Sequence, residues 1–124
     1  MMFLWRGMIS YYWRDMPIRE RLTPKEKAER ERQRKIHMGR VASLGCIVCA
    51  APANVHHIRD GQGTGQKASD YETIGLCHNH HQGRDGIHTL GTKRWQKIYG
   101  YERELLENVR RELIGRYGSV KTGD

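Results

Sequence analysis

The sequence predicts a small α+β fold, with a basic helix at the front, a short two-stranded core and an amphipathic helix at the end. Three observations carry this. Cys and His recur in matched pairs, "CIVC" and "CHNH", at Cys46, Cys49, Cys77 and His80. Two short apolar segments, 55–58 and 74–76, flank the Gly-rich loop "DGQGTGQKASD" at 60–70. Near the end, Leu105, Leu106, Val109, Leu113 and Ile114 fall on one helical stripe.

The chain has 124 residues, enough for one small domain with a tail or two. Only 37% are hydrophobic, with one Phe and fourteen Gly, so the core is modest and a bound metal would help it fold. The expected division is an arm at 1–22, a basic helix at 23–44, the core with its closing helix at 45–118, and a tail at 119–124. The arm opens "MMFLWRGMISYYW". Arg6 and Arg14 interrupt it, and it lacks the apolar run and small-residue cleavage site expected of a signal peptide. It reads as a mobile arm or as a translated leader ahead of Met16.

The net charge is +8, and it is uneven. Residues 1–40 hold eleven Lys and Arg against five Asp and Glu, a net of +6. Such a balance favours a polyanionic partner, nucleic acid before an acidic membrane surface. No long apolar span suggests a membrane segment. A solvated helix would explain the same charge run equally well.

The elements follow in order. Thr23 is placed to cap a helix, Pro24 suits its first turn, and Glu26 completes a T-x-x-E capping box. Its first half has almost no apolar face. Ile36, Met38, Val41 and Leu44 give the second half something to bury, and Gly45 offers a stop. Cys46 and Cys49 would form a tight knuckle, and residues 55–58 and 74–76 read as outgoing and returning strands. A helix should begin near Cys77 or His78. Residues 83–91 read as a second Gly-rich connector. "TKRWQKIYG" suggests a short helix ended by Gly100. The last helix runs from Glu102 to about Tyr117, with Gly115 or Gly118 able to end it.

The pattern C-x2-C-x27-C-x2-H suits a structural zinc. Zinc takes a tetrahedron of thiolate and imidazole donors, and two intervening residues let each pair aim at one point. A second pair at a helix start gives a treble-clef arrangement. Three cysteines with no evident disulfide plan point to a reducing compartment. Four further histidines then remain near the core: His56, His57, His81 and His88. His56 and His57 are strand neighbours and face opposite sides. A division of labour suits them, one on a metal and the other free to take a proton. His81 lies one residue past the zinc pair and can reach back toward the strand. His37 and His78 read as scattered surface or loop residues.

Strand, loop, strand and helix, with His-His on the first strand and His on the helix, is the logic of a ββα-metal nuclease. Residues 38–113 resemble the HNH endonuclease superfamily, and more closely the bacteriophage recombination enhancement function (Ref) nucleases. The resemblance rests on "MGRVASLGCIVC", "VHHIRDGQGTGQKAS", "YETIGLCHNHHQG", "GIHTLG" and the W-x3-YG-x-E-x-ELL pattern that begins at Trp95. It implies His57 as general base and His56 and His81 as ligands of a catalytic divalent ion, with His88 as a third. Cys46, Cys49, Cys77 and His80 would hold the structural zinc. One departure is clear. HNH motifs usually carry Asn about five residues before the third zinc ligand, where this chain has Glu72. The spacing from His81 to His88 is also longer than is common in the superfamily.

The implied activity is metal-dependent hydrolysis of DNA phosphodiester bonds with magnesium or manganese, leaving 5′-phosphate and 3′-hydroxyl ends. Arg59, Lys67 and Arg84 are the candidate phosphate contacts. The Ref resemblance further implies action in phage recombination on DNA bound by a RecA filament, in the cytoplasm of a bacterial host. Two other readings compete. One is a non-catalytic zinc-finger DNA-binding module, which needs the Cys/His quartet but leaves the other histidines idle. The other is a recombination accessory protein that recruits a partner through the basic helix.

Overall fold

A computed structural model describes residues 21–124. The proposed arm at 1–22 lies almost wholly outside the described residues. The chain divides into two compact units, Met1–Glu31 and Arg32–Asp124. Among the described residues no helix is long and apolar enough to cross a membrane.

The architecture is mixed α+β with one two-stranded sheet. Helix α1 is Pro24–Ser43, and strands β1 and β2 are Asn54–His57 and Thr73–Leu76. Four helices follow: α2 (His78–His81), α3 (Ile87–Leu90), α4 (Thr92–Tyr99) and α5 (Glu102–Tyr117). The capping box closes as the sequence predicts. The Glu26 amide donates to Thr23 Oγ1 at 3.1 Å, and the Thr23 amide donates to Glu26 Oε2 at 3.3 Å. Gly45 adopts φ +82° just past the helix end, a conformation that favours glycine.

The strands pair antiparallel, with His56 opposite Ile74 and His57 opposite Thr73. The Ile58 amide donates to the Glu72 carbonyl at 3.1 Å and extends the ladder by one bond. Both strands begin one residue earlier than predicted. Residues 83–91 are not a plain connector, because they contain α3, which delivers Ile87 to the core.

The core gathers Val41 from α1, Ile58, Ile74 and Leu76 from the strand region, Ile87 from α3 and Trp95 from α4. Helix α5 adds Leu105, Leu106, Val109 and Leu113. Ile114 departs from the predicted stripe and is 48% exposed. At the other end of the same face, Glu102 is buried instead. Helix α5 ends at Gly118, which takes the left-handed conformation, while Gly115 stays helical. His37 also departs from expectation. It is buried beside Tyr71, with ring centroids 4.9 Å apart. The tail is held too, because Val120 packs on the core and Asp124 pairs with Arg34.

Gly75 is where the strand meets the segment that follows α1. A Cβ there would lie 2.7 Å from the Gly45 carbonyl oxygen, and the Ile47 amide already donates to the Gly75 carbonyl at 2.9 Å. Gly75→Ala forces two backbones apart and is expected to destabilise the fold by about 1–3 kcal/mol. Urea unfolding followed by circular dichroism measures this as a lower midpoint with an unchanged slope.

Candidate metal centres

The quartet predicted for zinc converges. Cys46 Sγ lies 3.7 Å from His80 Nδ1, Cys77 Sγ lies 3.1 Å from the same nitrogen, and Cys49 Sγ lies 3.7 Å from Cys77 Sγ. A tetrahedral ion with Zn–S bonds of about 2.3 Å separates its sulfurs by about 3.8 Å, so the donors stand close to coordinating distance. The four side chains are compatible with a metal such as zinc. Local backbone explains the convergence. The Ala50 amide donates to the Cys46 carbonyl at 2.8 Å, and the Cys46 amide donates to Ala51 at 2.8 Å. Ala50 takes φ +63° to close this knuckle. On the other side Cys77 is the N-cap of α2, and its sulfur accepts from the His80 amide.

A second group lies next to the first. His56, His81 and His88 bring one ring nitrogen each within 4.8 Å of the others. The Nε2 atoms of His81 and His88 are 3.0 Å apart, and the His56 ring centroid is 5.1 and 5.2 Å from theirs. An ion held at about 2.0–2.1 Å by imidazoles spaces its nitrogens by roughly 3.0–3.5 Å, so these donors can hold one. Gly86 allows this approach. A Cβ there would lie 2.6 Å from the His81 carbonyl oxygen, so only glycine lets α3 fold back against α2. Burial pushes the His81 imidazole down to about 4, reinforced by His56 and His88. His88 is lowered by burial, by His56 and by the Arg59 guanidinium. Both rings are therefore neutral at pH 7, with a lone pair available to a metal.

His57 stands outside this group, as strand alternation requires. Its Nε2 lies 2.7 Å from Asp70 Oδ1, and this hydrogen bond holds the Asp70 carboxyl below its ordinary range. A carboxylate only accepts, so His57 donates from Nε2 and keeps Nδ1 free. Lys67 lies 3.7 Å from the same Asp70 oxygen and remains largely exposed. The Arg59 guanidinium donates to the Gln66 carbonyl at 2.7 Å across the base of the Gly-rich loop. Arg84 is exposed on the turn between α2 and α3, and His78 is exposed and belongs to neither group.

Two acids were not legible as site residues. Asp70 lies thirteen positions from His57 and looks like an ordinary loop end. Glu102 looks like a helix-start acid favoured by the dipole. It is fully buried, and its Oε2 lies 3.0 Å from His56 Nε2. Glu72, which stands where HNH motifs usually carry Asn, ion-pairs with Arg103 at 3.7 Å. Arg103 also reaches the Asp60 carboxylate and carbonyl at 3.2 Å each. The two ends of the loop are thereby bridged through α5. No family model matches the chain, and neither does any curated protein or solved structure compared with it.

Because the quartet ties the knuckle to α2, its metal is expected to be part of folding itself, worth on the order of 10 kcal/mol. Cys77→Ser should abolish stoichiometric zinc in elemental analysis and leave a chain without cooperative thermal unfolding. Strong chelation of the native protein should produce the same loss.

Proposed function

We propose that the chain is an HNH-type endonuclease that hydrolyses DNA phosphodiester bonds. The observation that carries this reading is the split of two adjacent histidines. His56 joins a three-imidazole group, while His57 faces an Asp and keeps one nitrogen free. A purely structural metal site has no use for the second histidine. The strand–loop–strand–helix order around these groups supports the ββα-metal fold.

The residues divide the work as follows. His57 takes a proton from the attacking water through Nδ1, while Asp70 fixes the tautomer and stabilises the imidazolium that results. His56, His81 and His88 would hold a divalent ion, which when bound stabilises charge on the phosphate and on the departing 3′ oxygen. Three imidazole ligands suit manganese and other transition ions better than magnesium, which prefers oxygen donors. Arg59, whose guanidinium donates to the Gln66 carbonyl at the base of the loop, would supply a cation for a phosphate. Lys67 and Arg84 supply weaker, solvent-screened attraction along the same backbone. The products would carry 5′-phosphate and 3′-hydroxyl ends. The basic segment of α1 would add grip on DNA, and phage recombination on RecA-bound strands is the biological setting we propose.

His57→Ala is expected to lower manganese- or magnesium-dependent nicking of supercoiled plasmid by about 10²–10⁴-fold. Metal content should stay unchanged, because His57 is not a ligand. Undiminished nicking in this variant would overturn the mechanism. DNA binding by the native chain without any cleavage would favour the non-catalytic zinc-stabilised module. Asp70→Asn should lower the rate less than His57→Ala does, with KM for DNA little altered, because it disturbs the orientation of the base and leaves the base in place.

A further inference from the structure

We infer that Glu102, on the first turn of α5, is the positioning residue of the three-histidine centre. By accepting a hydrogen bond from His56 Nε2–H, it leaves Nδ1 of that ring as the metal-facing nitrogen. The inference rests on reading His56, His81 and His88 as a metal centre.

Glu102 has no solvent exposure, and its carboxylate is surrounded by donors. The Arg59 amide lies 3.0 Å from both carboxylate oxygens, the Asp60 amide lies 3.2 Å from Oε1, and His56 Nε2 lies 3.0 Å from Oε2. Its own amide donates to Gln96 Oε1 at 2.9 Å, which fixes the helix start beneath the strand. A buried carboxylate is costly unless every oxygen is met, and these contacts meet them. Two backbone amides alone would be served as well by a neutral amide side chain. The imidazole makes the difference. An imidazole that ligates through one nitrogen needs its other N–H on an acceptor, and a carboxylate there fixes ring orientation and raises donor strength.

Glu102→Gln discriminates, because it preserves shape. The amide oxygen at the Oε1 position keeps both the Arg59 and the Asp60 amides, because the Asp60 amide meets that oxygen alone, and the amide nitrogen then faces His56 as a donor. That reverses the imidazole tautomer and moves a proton onto Nδ1, the nitrogen required by the metal.

The test is manganese titration of zinc-loaded native and Glu102→Gln protein, together with nitrogen-15 NMR of the His56 ring before manganese is added. The expected result is native Nε2–H, a shift to Nδ1–H in the variant, and manganese affinity weaker by about 10–100-fold. Zinc at the Cys/His quartet should be unchanged. Native manganese affinity in the variant would overturn the role of Glu102 and leave the centre standing. A native chain that holds one zinc and takes no second zinc or manganese ion would overturn the centre and this inference together. Should the variant fail to fold, the native spectrum decides: Nε2–H supports the inference and Nδ1–H overturns it.

Discussion

The convergence of Cys46, Cys49, Cys77 and His80 is the constraint on which the rest of the unit depends. It ties the knuckle after α1 to the end of β2 and to the first turn of α2. The sheet has only two strands of four residues each, too little to stand alone. With the knuckle seated on Gly75 and α5 laid across the same core, the hairpin gains a fixed floor. The orientation of α2 follows, and with it the direction in which His81 points.

Adjacency and period then separate two chemistries that lie side by side in the chain. Neighbouring residues on a strand face opposite ways, and neighbouring residues on a helix diverge by about 100°. His56 and His57 part for the first reason, His80 and His81 for the second. One strand and one turn of helix thus serve three sites: the Cys/His quartet, the three-imidazole group and the His57–Asp70 pair. The short α3, brought close by Gly86, adds His88 to the second of these.

Local signals made much of this legible in the sequence. The capping box at Thr23 and Glu26, the Cys/His spacing and most of the α5 stripe depend on residues a few positions apart or on a strong donor pattern. What stayed hidden depends on long-range packing. Glu102 and Asp70 are ordinary acids until the fold brings them against histidines, forty-six and thirteen positions away in sequence. His37 looks polar in a charge-rich helix, yet the turn of α1 that carries it meets Tyr71. Helix α3 escaped because one turn among glycines has no periodicity to detect. Ile114 fits the stripe by spacing but lies beyond the reach of the core.

The bridging of Asp60 and Glu72 by one guanidinium has a mechanical consequence. The loop between them is anchored at both feet, and the ladder bond from Ile58 to Glu72 closes its base just outside them. The crown between them turns on Gly61 and Gly65, at φ +80° and +75°, and closes with the Gln66 amide donating to the Gly63 carbonyl at 3.1 Å. The segment is built like the bail of a bucket, fixed at its pivots and braced along its arc by Arg59 and Gln66. A change made within the arc would thus leave the ion pairs at the feet in place.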